Sequence, residues 1–315
     1  MHLQSAPSVV PRNPSFARQA LLAPRPGAPA ACLAVGTLGY LVPRGDFTGR
    51  VHSVFAQACN IAMADTLLTV CVPLTGNGPT TLRLADGTAG DLRDLFEAGE
   101  RVFCRDGAAR AGRALLRLAG ATVWRPDEPC PLLAHAQIDA RLRAARAGLA
   151  QRRRTCSSVI DGRAAPVMAA LRDACRRLDI DAASRACERL IGWGEGLTPA
   201  GDDVLVGLLA GLDAFALGDA RRLRFRAALA SAVVAGLPRT TPIAAHYLRL
   251  AAGGHYSEPL VDLRNALACE PDWQAVDMCL QRALDVGATS GADTVSGLLA
   301  ALSAWCPATS TAMGA

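Results

Sequence analysis

The 315-residue chain has no lysine: all 33 of its basic residues are arginine. That absence excludes a Walker-type phosphate loop, Schiff-base chemistry and a lysine general base. Arginine alone suits planar carboxylates and phosphates, which its fork bonds bidentately, although a GC-rich genome would also favour it. Aromatic residues are scarce, at 4%. The basic run Gln151–Arg154 has none interleaved with it, so it reads as a solvated helix end and not as a nucleic-acid patch. Long apolar runs are missing too. Val204–Leu212 is uninterrupted but far shorter than the roughly 20 residues that span a bilayer. The first acidic residue is Asp46, yet Pro7, Pro11, Pro14, Pro24 and Pro26 break any amphipathic helix and no apolar signal core precedes a cleavage site. Residues 1–30 are therefore expected to form a loose arm. The eleven cysteines contain no CxxC and no Cys/His zinc spacing, and read as small buried apolar groups of a cytoplasmic protein.

What is present divides at "RPDEPCP" (Arg125–Pro131). Before it, "CLAVGTLGYLV", "DTLLTVCVPL", "TTLRLADG", "RVFCRDG" and "GATVWRP" are short β-rich segments punctuated by Gly, Asn, Asp and Pro. "SVFAQACNIAM" interrupts them as an expected helix capped by Ser53. After it, "LLAHAQIDARLRAARAGLAQRRR" opens a series of amphipathic helical stretches. The expected fold is α+β: a small β-rich, antiparallel or barrel-like domain over residues 31–126, then a larger all-helical domain of eight or nine helices over 127–315.

One internal repeat stands out. "GLTPAGDDVLVGLLAGL" starts at Gly196 and "GATSGADTVSGLLAAL" at Gly287. Each glycine is followed two residues on by a threonine (Thr198, Thr289) and six residues on by an aspartate (Asp202, Asp293), before an apolar helix. Capping explains one aspartate per helix, and Gly207, Gly211 and Gly297 explain themselves as close-packing positions. Capping does not explain Asp203. Neighbouring helical residues point about 100° apart, so a second carboxylate at a buried helix start needs a cation or a donor-bearing ligand. Three solutions are open: Mg²⁺ on Asp202 and Asp203, a neutralising arginine, or a ligand with an anionic end for the loop amides and an NH₂ end for the carboxylates. Gly196, Thr198, Asp202, Asp203, Thr289, Ser290 and Asp293 are the candidate binding residues. His52 and Ser53 in "GRVHSVFAQACN" and Arg239 and Thr240 in "LPRTTPIAAHYL" are secondary candidates, while His246 reads as packing.

"VHSVFAQACN", "GEGLTPAGDDVLVGLL", "TTPIAAHYL" and "GATSGADTVSGLL", in that order, resemble the AllH family over roughly residues 30–305. The resemblance implies a subunit of an oxamate carbamoyltransferase of purine-nitrogen breakdown, working with AllG-like and FdrA-like subunits. It also implies a small anionic substrate such as carbamoyl phosphate or oxamate, with oxalurate as the carbamoylated partner. Two other readings stand beside it: an Mg-nucleotide or phosphate-binding domain, and a non-catalytic scaffold whose glycine helices form an inter-subunit contact.

Overall fold

The structure, a computed structural model, describes residues 31–64, 66–87, 90–127, 132–155, 164–269 and 272–306. The expected arm of residues 1–30 lies outside them.

Nine strands come first among the described residues: β1 (Ala31–Gly39), β2 (Phe47–Val54), β3 (Ala58–Ala62), β4 (Leu67–Cys71), β5 (Thr81–Leu84), β6 (Arg101–Arg105), β7 (Ala108–Ala111), β8 (Ala114–Arg117) and β9 (Thr122–Trp124). They pair in the order β5-β4-β3-β2-β6-β7-β8-β1-β9, and β5 also pairs with β1. That last pairing closes eight strands into a barrel and removes the sheet edges. Strand β8 pairs with residues 31–34 of β1, and β9 takes over the same edge at Thr37–Gly39. The barrel is mixed, not purely antiparallel: β1–β8, β1–β9 and β4–β5 run parallel. Alternate residues fill its interior, Val102 and Cys104 on β6, Ala109 and Ala111 on β7, Ala114 and Leu116 on β8, all nearly or fully buried.

The segment expected as a capped helix, "SVFAQACNIAM", is instead the β2–β3 hairpin. Ser53 caps nothing; it sits opposite Asn60 in the ladder and accepts a hydrogen bond from Asn60 Nδ2. The local preference of alanine for helix is overridden because β2 pairs on both sides, with β3 and β6, and β3 continues into β4.

Nine α-helices follow among the described residues: α1 (His135–Thr155), α2 (Ala165–Arg177), α3 (Ile180–Leu190), α4 (Ala200–Ala216), α5 (Ala220–Gly236), α6 (Pro242–Ala252), α7 (Glu258–Ala268), α8 (Gln274–Leu284) and α9 (Ser290–Trp305). Asp179, Asp219 and Thr241 cap α3, α5 and α6 with their side chains. The "QRRR" run ends α1, but its middle arginines are half-buried and not simply solvated: Arg152 pairs with Asp285 and Arg153 donates to Ser296. The two helices of the repeat, α4 and α9, form the centre, apolar on nearly every face. They touch backbone to backbone. A Cβ on Gly207 would lie 1.8 Å from the Thr294 carbonyl oxygen, and one on Gly297 would lie 1.9 Å from that of Val204. Gly211 also faces α9, at Leu298 and Ala301. The glycines of the repeat are thus spent on a contact inside the chain, and they do not supply the inter-subunit surface of the scaffold reading.

The structure also re-registers the repeat. Gly201 and Gly291 each press on the carbonyl that ends a preceding helix, Leu190 and Ala283, and Gly207 and Gly297 mirror one another across the helix pair. Asp203 is therefore the counterpart of Asp293. The match of Asp202 with Asp293 holds only in the loop spacing, because the second loop is one residue shorter.

Polar contacts dock the barrel on the helices. His246 of α6, 3% exposed, accepts from the Leu67 N–H at Nδ1 (3.3 Å) and faces Thr80 Oγ1 at Nε2 (3.1 Å). The first bond fixes the tautomer, so Nε2–H donates to Thr80. Burial pulls this imidazole down to about 4, so it is neutral and structural, as read from the sequence. Glu258 at the start of α7 accepts from both the backbone N–H and the Nδ2 of Asn77 on the β4–β5 connection, at 2.8 and 3.0 Å. Tyr40 Oη meets His255 Nδ1 at 2.7 Å.

Candidate functional site

A cavity of about 260 Å³ opens along this junction. Its barrel wall is β4, β5 and their connection, with Thr69, Cys71, Asn77 and Thr81; its helical wall is the N-terminal ends of α4, α7 and α9 together with Tyr247 of α6. These ends lie here because the loop before α4 is pinned from outside. The Thr241 hydroxyl donates to the Leu197 carbonyl, and Gly192, in a left-handed conformation with φ +73°, seats against the Arg239 carbonyl where a Cβ would come within 2.6 Å.

The adjacent aspartates separate as their 100° offset requires. Asp202 turns toward the protein: Oδ1 accepts from the Gly192 N–H at 3.0 Å and Oδ2 from the Thr240 hydroxyl. Burial raises its titration, against those two bonds. Asp203 turns to the cavity. It is 9% exposed, and its Oδ2 has no hydrogen-bond partner among the described residues. Burial pushes Asp203 well above the ordinary carboxylate range, opposed by the hydroxyls of Ser290 and Thr198 and reinforced by the Asp293 and Asp202 carboxylates. Thr198 Oγ1 and Ser290 Oγ are 2.8 Å apart, so one hydroxyl from each copy of the repeat closes over this carboxyl. Asp293 is fully buried behind it.

Of the residues singled out by sequence, Thr198, Asp203 and Ser290 line the cavity. Asp202 and Thr240 brace the loop, and Asp293 lies beneath. Thr289 precedes α9 without a side-chain cap. Gly196 is exposed with φ +92° and open space beside it. Arg239 is exposed and contributes its carbonyl to Gly192. His52 and Ser53 lie on β2 and are not lining residues; His52 Nδ1 is buried without a hydrogen-bond partner among the described residues. For Mg²⁺ on the aspartate pair, the geometry is unfavourable: both oxygens of Asp202 are engaged, and no group of three or more His, Cys, Asp or Glu suited to a metal occurs among the described residues.

The sequence reading missed Tyr247. Its hydroxyl reaches Thr69 Oγ1 at 3.3 Å; Thr69 donates to Asn60 Oδ1 at 2.9 Å, and Asn60 donates to Ser53 at 3.1 Å. Because Thr69 has given its proton to Asn60, Tyr247 is the donor in their bond. Ser53 is thus linked to the cavity-lining Thr69 through two hydrogen bonds, by way of Asn60. Cys71 also lines the cavity, but burial pushes its thiol up to about 12, so it is no ready nucleophile.

A closed mixed barrel is followed by a helical region, with a mostly apolar pocket carrying a few polar groups where they meet. Two family models match the chain: one described as the AllH family N-terminal domain over residues 33–123, the other as oxamate carbamoyltransferase subunit AllH over residues 190–302. Together they cover most of the chain, which belongs to the AllH family. No solved structure matches it. Each matched segment supplies one wall of the cavity.

Proposed function

We propose that the chain is a subunit of an oxamate carbamoyltransferase complex of purine-nitrogen catabolism in the cytoplasm, and that the cavity beside Asp203 holds one of its small anionic substrates. In the reaction the amide nitrogen of oxamate attacks the carbamoyl carbon of carbamoyl phosphate; the C–O bond to phosphate breaks, the nitrogen loses a proton, and oxalurate and phosphate result. AllG-like and FdrA-like subunits complete the active site. The observation that carries this reading is the buried Asp203, lining with Thr198 and Ser290 a cavity walled by both matched segments. A carboxyl and two hydroxyls in a mostly apolar wall suit a small ligand with a polar N–H or O–H group. No arginine lines the cavity among the described residues, which accords with a site finished by other chains.

Reconstitution tests it. The chain mixed with AllG-like and FdrA-like subunits is expected to form oxalurate from carbamoyl phosphate and oxamate, and omission of the chain to abolish formation. A complex that assembles and forms none, or that is equally active without this chain, overturns the reading.

A further inference from the structure

The barrel carries a second surface, away from the cavity. Strands β6, β7 and β8 lie across the closed ring from β4 and β5, the strands that meet the helices. Side chains alternate along them. Val102, Cys104, Ala109 and Leu116 fill the interior, so Arg101, Phe103 and Arg105 of β6, Arg110 of β7, and Leu115 and Arg117 of β8 belong to the outer face. Register fixes their arrangement. Arg110 stands opposite Phe103 on one side and opposite Leu115 on the other. Arg101 and Arg105 are its diagonal neighbours on β6, and Arg117 on β8, at about 7–8 Å. Arg101 in turn stands directly opposite Arg50 of β2. Like charges in that position destabilise a ladder, and nothing in the fold relieves them. All five arginines are exposed, and none makes an ion pair among the described residues.

The chemistry of the face selects its occupant. Residues 1–30 contain no Asp or Glu, so that segment brings no counter-charge. A second copy laid face to face across a two-fold axis would set arginine against arginine. A nucleic-acid backbone would meet Asp46, Glu100 and Asp106 at the ends of the same strands, and Phe103 is half-buried, not raised for base stacking. Arginines around an apolar centre of Phe103 and Leu115 have instead the make-up of a protein interface, where arginine and aromatic residues are enriched. We propose that the outer face of β6, β7 and β8 docks an acidic surface of another subunit, whose carboxylates pair with Arg101, Arg105, Arg110 and Arg117 and whose apolar side chains cover Phe103 and Leu115. The assignment rests on the reading of this chain as a subunit of a complex. Docking there leaves the cavity side free for the chain that completes the substrate site.

The test is sedimentation velocity of the full chain mixed with AllG-like or with FdrA-like subunits, which reads association without activity. Arg110→Glu reverses the central charge. Arg185→Glu, at an exposed arginine of α3, makes the same change of net charge elsewhere. Arg110→Glu and Arg117→Glu are each expected to weaken association with one of the two subunits about 10-fold or more, the effect of losing one close charge pair, and Arg185→Glu to leave it unchanged. Melting curves report whether the variants fold. Wild type supplies a test that needs no variant: its association is expected to weaken as salt rises from about 50 to about 500 mM. Association indifferent to salt, undiminished in Arg110→Glu and Arg117→Glu, or equally weakened by Arg185→Glu overturns the assignment. So does binding of a single-stranded DNA of about 16 nucleotides through Arg110 as tightly as either subunit. If the face fails in these ways while the reconstituted complex makes oxalurate, the proposed function stands. If Arg110→Glu disrupts a complex that makes none, the function fails and the face stands. A wild-type chain that associates with neither subunit overturns both.

Discussion

Asp203→Asn is expected to lower kcat/KM of the reconstituted complex about 100-fold or more, near 2.7 kcal/mol of transition-state stabilisation, while making the chain itself more stable. Both effects have one source. A buried carboxyl with an orphan oxygen is costly to ionise, and asparagine removes that cost, by about 1–2 kcal/mol. It also exchanges a charged acceptor for a neutral amide, whose oxygen accepts more weakly. Stability and activity are thereby set against each other at one residue. The pH dependence follows. Asp203 titrates higher folded than unfolded, so between the ordinary carboxylate range and its raised value the folded chain binds the extra proton. Its contribution makes stability fall as pH rises through that window, while substrate binding, which needs the ionised form, rises. His246 acts oppositely. Its folded form titrates at about 4, below the ordinary 6.5, so stability is lost as pH falls from 6.5 toward 4. The difference between urea melts of wild type and Asp203→Asn across this range isolates the Asp203 slope, since the variant keeps those of His246, Asp202 and Asp262. A variant no more stable than wild type, with full activity, contradicts the role given to Asp203.

Gly207→Ala and Gly297→Ala are each expected to cost about 3 kcal/mol or more, at or beyond the upper end for overpacking a core. The new methyl carbons would sit 1.8 and 1.9 Å from carbonyl oxygens. Backbone cannot rotate away as a side chain can, so α4 and α9 must part along their length. The double variant is expected to lose less than the sum, because helices already separated by one methyl accommodate the other. Separation would also pull Thr198 and Asp203 away from Ser290, so oxamate binding should weaken in whatever fraction stays folded. Gly196→Ala is the control: it meets no atom within 4 Å and carries only the strain of φ +92°, on the order of 1 kcal/mol. Denaturant midpoints decide it; a loss below about 1 kcal/mol at Gly207 would mean the helix contact is looser than described.

The division into a barrel-like part and a helical part was legible because glycine and proline punctuate the first 126 residues and helical periodicity dominates afterwards. The β2–β3 hairpin was not. Ala56, Ala58 and a capping-competent Ser53 favour helix locally, and only pairing with β4 and β6, distant in sequence, decides otherwise. At the site, Asp203 was visible because one helix start cannot use two carboxylates. Its counterpart was misassigned to Asp202, since loop spacing aligned residues that the helix glycines do not. Tyr247 and Thr69 gave no signal, because their meeting depends on how β4 docks against α6, which no spacing encodes.

The central claim is that the cavity between barrel and helices is the substrate site. A crystal structure of the chain with oxamate tests it most directly. The predicted result is oxamate in that cavity, against Asp203, Thr198 and Ser290. Oxamate ordered elsewhere on the chain, with the cavity holding only water, would contradict it.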